Sequence, residues 1–248
     1  MSKPIAPWLV ALSAGRWQIS GIRAAIEQGI QVLALDEDPD AEGLKIATKS
    51  TIVNIRDSEA VLTAIESFGI TPQGVVSFVS EVGMPVAAVV RERYNLFGAN
   101  TELTRLLTNK VYQRDLWQKK EIRGPKWKSF TSLSMAKVCI EDLGFPCIVK
   151  PADSAGSRGV TKVEIPDEAE DAARYALESS RTGVALVETF MEGTEYAVET
   201  FGDGNTIHVL AVTEKKKVLG TKGTVAQELS TPSDETKSMI VSDISVAA

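Results

Sequence analysis

The chain has only two cysteines and one histidine among its 248 residues. Cys139 and Cys147 both lie in apolar surroundings, which predicts buried free thiols of a reducing compartment and not a disulfide framework. Structural zinc takes four thiolate or imidazole ligands, so two thiols and His208 are too few for a convincing zinc site. The shortage of these residues argues against both a disulfide scaffold and a zinc protein.

The sequence also lacks an excess of basic residues and a long apolar run. Its formal net charge is −6, which argues against general nucleic-acid binding. No apolar run approaches the ~20 residues that a membrane-spanning helix needs. The first residues, Met1 to Pro7, do not have a signal-peptide pattern. We therefore expect a globular, cytoplasmic protein that binds neither membranes nor nucleic acid.

Strands and helices are predicted to alternate through the first hundred residues. Short apolar runs predict the strands, and apolar residues repeating every three to four positions predict the helices. Ser58 is the predicted N-cap of one helix, and Pro85 is compatible with the first turn of the next. The predicted strands are 8–12, 31–36, 51–55 and 75–78, and the predicted helices end near 28 or span 58–68 and 82–94. This alternation predicts a parallel sheet with helices on both faces.

The first strand-to-helix turn has two interpretations. Gly15 and Gly21 are the only glycines available for a dinucleotide fingerprint, and Asp36 falls near the place of a ribose-binding acid. Trp17, however, stands where a middle glycine would let a pyrophosphate approach the backbone. A purely structural turn is therefore favoured, and an NAD-dependent oxidoreductase remains the alternative.

Glu81 lies just after a predicted strand of this sheet, at the edge where parallel sheets bind ligands. It also falls near the start of a helix, where a carboxylate is favourable to the helix dipole. A substrate-facing role and a purely structural role both remain open for Glu81.

A short buried strand that ends in a lysine is the most informative feature of the chain. Cys147, Ile148 and Val149 form the apolar run, Lys150 follows them, and Pro151 ends it. Removing a lysine from water is costly without an anionic partner, so the sequence predicts such a partner for this lysine.

A loop of small residues follows this strand. Its glycines allow a close approach of the backbone to a ligand, and its serines, amides and arginine supply hydrogen-bond donors and positive charge. The candidate phosphate-binding residues of the loop are Ser154, Gly156, Ser157, Arg158 and Gly159. Amides beside fixed cations are suited to a polyphosphate. The plainer interpretation is an ordinary glycine turn between two strands.

Two common phosphate loops do not match this order. A P-loop needs Gly-Lys-Ser/Thr at its end, and protein kinases place their glycine loop before the strand lysine. A strand lysine followed by a serine- and glycine-rich loop resembles the ATP-grasp superfamily. Asn109-Lys110 and the later Gly124-Pro125 turn resemble two further ATP-grasp blocks in order and spacing. The resemblance implies that Lys110 and Lys150 contact nucleotide phosphates.

A third block, residues 186–199, extends this resemblance to the segment that joins the two lobes in ATP-grasp proteins. The resemblance implies that Glu188 lies near the adenine amino group and that Phe190 and Met191 belong to the hinge. It also implies that Glu195 holds the ribose hydroxyls. Carboxylates accept hydrogen bonds from hydroxyl and amino groups, so these roles are chemically reasonable.

The resemblance predicts three parts in an α/β protein. Residues 1–108 are predicted to form a Rossmann-like domain with a parallel sheet, and 109–187 a small α+β lobe with the phosphate loop. Residues 188–248 are predicted to form the hinge and an incomplete second lobe, beginning with a hairpin over 194–213. His208 falls in this hairpin, where a structural role is favoured over a catalytic one. The segment from Gln227 to Pro232 resembles the substrate side of amino-acid ligases.

The family normally continues with strands that carry acidic and amide ligands for magnesium. Asp234, Glu235 and Asp243 lie in a polar tail without such a strand context, so the chain is expected to be truncated before its metal ligands. The catalytic residues therefore remain unknown, and no metal-binding residue is assigned.

The resemblance is to the branch of carbamoyl-phosphate synthase large subunits and L-amino-acid ligases. It implies an ATP-binding part of a carboxylate–amine ligase that acts through an acylphosphate, with magnesium in the full family unit. The alternative is a degenerate or split nucleotide-binding module without catalysis of its own. A homodimer or a partner chain is expected to complete the second lobe, and small carboxylates and amines are the expected substrates.

Overall fold

The computed structural model describes residues 6–217 and 226–230. The chain divides into two compact units, one up to Tyr112 and one from Gln113 onward. Within the described ranges, no helix is both long and apolar enough to cross a lipid bilayer.

The first unit is built on a four-stranded sheet of strand order β3-β2-β1-β4. All three neighbouring pairs are parallel; Val10, for example, lies opposite both Leu33 and Val75. Its elements are β1 (Trp8–Leu12), α1 (Ile19–Glu27), β2 (Gln31–Asp36), α2 (Glu42–Ile46), β3 (Lys49–Ile52), α3 (Ser58–Ser67), β4 (Gly74–Val76), α4 (Met84–Tyr94) and α5 (Thr101–Thr108).

Both faces of this sheet are buried, as the alternation of strands and helices predicted. Val10 and Leu33 pack into one apolar cluster with Ile65 of α3. The alternate residues of the same strands, Ala11 and Val32, pack into a second cluster on the other face. Successive side chains of a strand point to opposite faces, so one apolar run supplies both clusters.

Several local predictions for the first unit differ from the structure, including the fourth strand, which is Gly74–Val76 and not 75–78. The third strand ends at Ile52 instead of residue 55, because the chain turns where Asn54 Oδ1 accepts from Arg56 N (3.0 Å). The N-cap of α3 is Asp57, whose Oδ1 accepts from Ala60 N (3.1 Å), and not Ser58. Helix α5 was not predicted, although its N-cap, Asn100, is a typical capping residue.

The second unit contains a four-stranded antiparallel sheet of order β5-β8-β6-β7 and a three-stranded antiparallel sheet of order β11-β10-β9. Helix α6 crosses the boundary between the two units. The elements from this point are α6 (Lys110–Lys119), β5 (Trp127–Phe130), α7 (Leu133–Leu143), β6 (Cys147–Pro151), β7 (Thr161–Val163), a 3-10 turn (Pro166–Glu168), α8 (Ala169–Glu178), β8 (Ala185–Thr189), β9 (Tyr196–Gly202), β10 (Ile207–Lys217) and β11 (Ala226–Ser230).

Helices α7 and α8 cover one face of the four-stranded sheet. Cys147, Val149 and Val187 point toward these helices and pack with Ile140 and Ala173. The residues between them in sequence therefore point to the opposite face of the sheet. That face carries Lys150 and Glu188, so the alternation of β6 and β8 separates an apolar core from a charged surface.

Candidate functional site

The charged face of the four-stranded sheet is organised around an ion pair between neighbouring strands. Strands β6 and β8 are antiparallel, and Ile148 lies opposite Glu188. Lys150 Nζ donates to Glu188 Oε2 at 2.6 Å, and the two side chains are only 14% and 6% exposed. In the structure the anionic partner of Lys150 is therefore a carboxylate of the chain itself, Glu188.

Burial is the main influence on the Lys150 ammonium group. It lowers the pKa of Lys150 below its usual value, and the negative charge of Glu188 offsets only part of this effect. The negative charge of Glu195 also raises the pKa of Lys150, but by less than Glu188 does. Charge on this lysine therefore depends on the anions around it, which is a useful property in a site for an anionic ligand.

A second cation, Arg114 of α6, binds the other oxygen of the same carboxylate. Its Nε donates to Glu188 Oε1 at 2.7 Å, and its side chain is 10% exposed. Sequence reasoning did not select Arg114 as a site residue. Its spacing of four from Lys110 was the available signal, because residues i and i+4 lie on one side of a helix.

The loop after β6 has positive φ at its two glycines, as predicted, and also at Ser157, which was not predicted. Gly156, Ser157 and Gly159 all have positive φ, at 67°, 59° and 74°. A Cβ atom at Gly159 would lie 2.6 Å from Ser179 Cβ, so only glycine fits there. Arg158 Nε donates to Ala155 O within the loop (3.3 Å).

Asp153 anchors the start of this loop. Its carboxylate accepts hydrogen bonds from Ser180 Oγ (2.9 Å), Arg181 N (3.1 Å) and Thr182 N (2.9 Å). Burial raises the pKa of Asp153, but these hydrogen bonds outweigh it and hold the pKa below its usual value. Together with Gly159, Asp153 fixes both ends of the segment that carries Ser154, Ser157 and Arg158 against residues 179–182. No local sequence pattern marks this anchor, because its partners lie 27 to 29 positions away in the chain.

The predicted hinge residues follow directly after β8. Phe190 N donates to Pro146 O (3.2 Å), and Lys162 Nζ lies 4.2 Å from the centre of the Phe190 ring. Met191 is 65% exposed. Glu195 pairs with Lys215 at 2.9 Å, so one residue of the lysine run at 215–217 has a specific partner.

Lys110 begins α6, as predicted from the Asn109-Lys110 pair. Asn109 Oδ1 accepts from Val111 N (3.0 Å) at the start of this helix. Lys110 belongs to the first unit and Lys150 to the second, so their convergence on one nucleotide stays a prediction. The Gly124-Pro125 turn also has a packing reason, because a Cβ at Gly124 would lie 3.1 Å from the Trp117 ring.

The first strand-to-helix turn is closed by its own hydrogen bonds. Asp36 Oδ2 accepts from Ala14 N (2.6 Å), and Gly43 N donates to Ala14 O (2.6 Å). A Cβ at Gly21 would meet the Phe78 ring at 2.8 Å, which gives this glycine a packing role. Trp17 is 65% exposed, with the Arg16 guanidinium over its ring. These contacts favour the structural interpretation of the turn over a dinucleotide site.

Glu81 and His208 are the two other candidate residues that the sequence left open. Glu81 lies in the turn just before α4, where its carbonyl oxygen accepts from Met84 N (3.2 Å). His208 lies in β10, 3.1 Å from Asp203 Oδ2, with more than half of its side chain exposed. That pairing across a hairpin turn agrees with a structural role for His208.

Among residues 6–217 and 226–230, no three His, Cys, Asp or Glu side chains come together as metal ligands do. Asp234, Glu235, Asp243 and Pro232 lie outside the described residues. Magnesium is therefore assigned to no residue of the described site.

Comparison with known proteins gives a family match for part of the chain. Residues 108–225 match the family described as phosphoribosylglycinamide synthetase, ATP-grasp (A) domain. A phosphoribosylamine–glycine ligase of Thermococcus gammatolerans is 26% identical over 198 residues, which are 74% of this chain and 43% of that protein. A D-alanine–D-alanine ligase of Paracidovorax citrulli is 31% identical over 115 residues, 46% of this chain and 34% of that protein. The chain thus spans less than half the length of these relatives.

Solved structures share the fold over nearly the whole chain. An L-amino acid ligase from Bacillus licheniformis has a TM-score of 0.80 at 21% identity, covering 99% of this chain and 60% of that one. An N5-carboxyaminoimidazole synthetase from Staphylococcus aureus complexed with ADP has a TM-score of 0.77 at 14% identity, covering 96% of this chain and 61% of that one. Residues 108–225 are thus similar to an ATP-grasp (A) domain, and the chain shares its fold with these two enzymes over nearly its whole length.

Proposed function

We propose that this chain binds ATP on the charged face of its four-stranded sheet and forms part of an ATP-dependent carboxylate–amine ligase. The observation that carries the proposal is the Lys150–Glu188 pair, which is buried beside a glycine- and serine-rich loop anchored at both ends. Lys150 and the loop from Ser154 to Gly159 are assigned to the phosphates. The ADP complex of the Staphylococcus aureus synthetase, which shares this fold, supports the choice of nucleotide.

The remaining site residues are assigned to the other parts of the nucleotide. Glu188 is assigned to the adenine amino group, Phe190 and Met191 to the base, and Glu195 to the ribose hydroxyls. Lys110 is assigned to the phosphates with Lys150. The proposal keeps the three-part division at 108/109 and 187/188, in which the base-binding hinge begins at Glu188.

The proposed reaction has two balanced steps. An oxygen of a substrate carboxylate attacks the terminal phosphorus of ATP, and the bond to the bridging oxygen breaks to give an acylphosphate and ADP. An amine then attacks the acyl carbon, phosphate leaves, and the amine loses a proton. Fixed cations that stabilise charge on the transferred phosphoryl group lower the barrier of the first step. A carbamoyl-phosphate-synthase-like reaction would use the same two steps with a different carboxylate.

Magnesium is part of the proposal for the complete family unit. When bound, it would neutralise phosphate charge and align the phosphoryl group. The residues described here fit no such ion, because they contain no cluster of three suitable ligands. The second candidate function is a nucleotide-binding module without catalysis of its own.

An activity assay together with a calorimetric measurement of ATP binding separates the two candidates. The purified protein is incubated with magnesium, ATP and a panel of amino acids, and ADP release is measured. Amino-acid-dependent release that disappears in Lys150→Ala supports the ligase. Binding of ATP without such release supports the module, and absence of ATP binding contradicts both.

We also propose that the sheet of β9, β10 and β11 packs against further polypeptide, either a second copy or another chain. It exposes four large apolar side chains, between 51% and 69% each: Phe201, Ile207, Leu210 and Leu229. Apolar surface of this kind on sheet strands commonly marks an interaction site.

A further inference from the structure

Arg114 is a buried cation whose place in the structure is explained by one partner. It lies on α6, where neighbouring side chains such as Asp115 and Lys119 are exposed. Its Nε donates to Glu188 Oε1 at 2.7 Å, and both side chains are at most 10% exposed. A charged pair at this depth is costly to desolvate, so packing alone does not explain why an arginine is used.

The guanidinium is also held by an aromatic side chain. It lies over the Trp117 ring, 4.1 Å from its centre. The Trp117 ring in turn packs against the backbone of Gly124, where a Cβ would approach it to 3.1 Å. A planar guanidinium stacked on an aromatic ring has few alternative positions, so the direction of its Nε–H is set before any ligand binds.

The two oxygens of Glu188 have different partners. Arg114 holds Oε1 and Lys150 holds Oε2, at 2.7 and 2.6 Å. Under the proposed function, the nucleotide phosphates attract Lys150, and Oε2 then loses its donor. Arg114 binds the other oxygen, so it keeps Oε1 and the negative charge of Glu188 has a counter-charge throughout.

We propose that Arg114 is a positioning residue that orients Glu188 to read the 6-position of the purine ring. With Oε1 fixed by Arg114, the released Oε2 accepts a hydrogen bond from the 6-amino group of adenine. A 6-oxo purine places an acceptor there, and two acceptors facing each other in a buried site disfavour binding. The inference rests on the proposed ATP function and adds the device that selects adenine.

The test compares ADP with inosine diphosphate, because the two differ at the 6-amino edge and not in the ribose or phosphates. Calorimetry on the 248-residue protein gives the ratio of the two Kd values. We expect the wild-type protein to prefer ADP by about tenfold or more, the effect of one mispaired buried hydrogen bond. Arg114→Met should bring this ratio close to one, whereas Lys119→Met, on the exposed side of the same helix, should leave it unchanged.

The ratio distinguishes positioning from a general structural role. A merely structural arginine would weaken ADP and inosine diphosphate equally, and Arg114→Met with the wild-type ratio would overturn the inference. Arg114→Gln serves if the methionine variant does not fold, since it keeps a donor but removes the charge; it should also lower the ratio. Arg114→Lys, which keeps the charge, should retain part of the wild-type preference for ADP over inosine diphosphate.

Two further outcomes separate this inference from the proposed function. Wild-type protein that binds ADP and inosine diphosphate equally overturns the role of Arg114 and leaves ATP binding intact. Wild-type protein that binds neither nucleotide overturns the proposed function, and the inference falls with it.

Discussion

At the scale of single residues, Lys150 and Glu188 illustrate how one strand contact creates a charged site inside a protein. The two side chains lie on adjacent antiparallel strands, on the face opposite the apolar core. Each would be costly to bury alone, and each makes the burial of the other possible. Arg114 adds a second positive charge, so the cluster as a whole attracts anions.

Replacement of Lys150 by alanine should weaken ADP binding by about 1.5–3 kcal/mol, the range for a hydrogen bond to a charged group. Calorimetry at fixed salt measures this loss. Lys137→Ala is the matched control, because Lys137 is exposed on α7, which covers the other face of the sheet. Equal affinities of Lys150→Ala and the wild-type protein would exclude Lys150 from the phosphate site.

The two cysteines should react very differently in the native protein. Cys147 is fully buried, and burial raises the pKa of its thiol to about 11. The thiolate is the reactive form, and at pH 8 it amounts to about one part in a thousand of such a thiol. Iodoacetamide at pH 8 should therefore label the partly exposed Cys139 well before Cys147, as read by peptide mass spectrometry. Both should react in urea, and equal native rates would contradict the burial of Cys147.

At the scale of elements, the loop after β6 is defined by its anchors as much as by its glycines. Asp153 accepts three hydrogen bonds from residues 180–182, and Gly159 fits against Ser179 only without a side chain. The sequence identified the glycines, because positive φ is a local requirement. It could not identify the anchor, because the segment that holds Asp153 comes to it through the fold.

Asp153→Asn should lower the free energy of unfolding at pH 7 by about 1–3 kcal/mol, because it removes the charge that these donors stabilise. The pKa of Asp153 is lower in the folded protein than in the unfolded chain. Its stabilisation is therefore present above the unfolded value of about 3.9 and disappears as the pH falls through the lower folded value.

Urea titrations of both proteins from pH 7 to pH 3 measure this dependence. The difference between wild type and Asp153→Asn should shrink in the most acidic part of the range. A difference that stays constant down to pH 3 would show that the charge of Asp153 does not contribute.

The first strand-to-helix turn should not bind NAD. Its Ala14 amide and carbonyl are both used within the unit, by Asp36 and Gly43, and Trp17 stands beside them. A pyrophosphate needs free amides at such a helix start. Calorimetry with NAD should detect no binding, with ADP as the positive control. Micromolar NAD affinity that is lost in Gly15→Val would instead favour the oxidoreductase.

At the scale of the whole molecule, the contrast between the two sheets of the second unit is informative. The four-stranded sheet buries one face under α7 and α8. The three-stranded sheet exposes Phe201, Ile207, Leu210 and Leu229 instead. Association removes apolar surface from water, which is favourable. This gain in free energy drives the expected contact with further polypeptide.

Leu210→Ser should reduce this association. Leu210 is 69% exposed, so the change costs the isolated chain little stability. Sedimentation velocity over a range of protein concentrations should show a shift toward monomer. Tyr175→Ser on α8, where the side chain is 49% exposed, is the control. A wild-type protein that remains monomeric at high concentration would contradict the predicted contact between copies.

Much of the fold was accessible from the sequence because it depends on local patterns. The apolar runs at β1 and β2, the helical period of α3 and the strand before Lys150 are properties of neighbouring residues. The order of Lys110, Lys150, Glu188 and Glu195 also carried the family resemblance without any coordinates. Strand and helix ends were less accurate at β3 and α3, since they depend on which of several polar residues makes the cap or the turn.

The tertiary structure decided what the charged residues do to one another. Arg114 looked like a polar helix residue, and Glu188 looked like the acid of a hinge; only the fold brings them together, 74 positions apart in the chain. Asp36 looked like a ribose ligand until the fold directed it to the Ala14 amide. Periodicity determines which residues are buried on one element. The partner of a buried charge is set by the packing of different elements, and no local pattern specifies it.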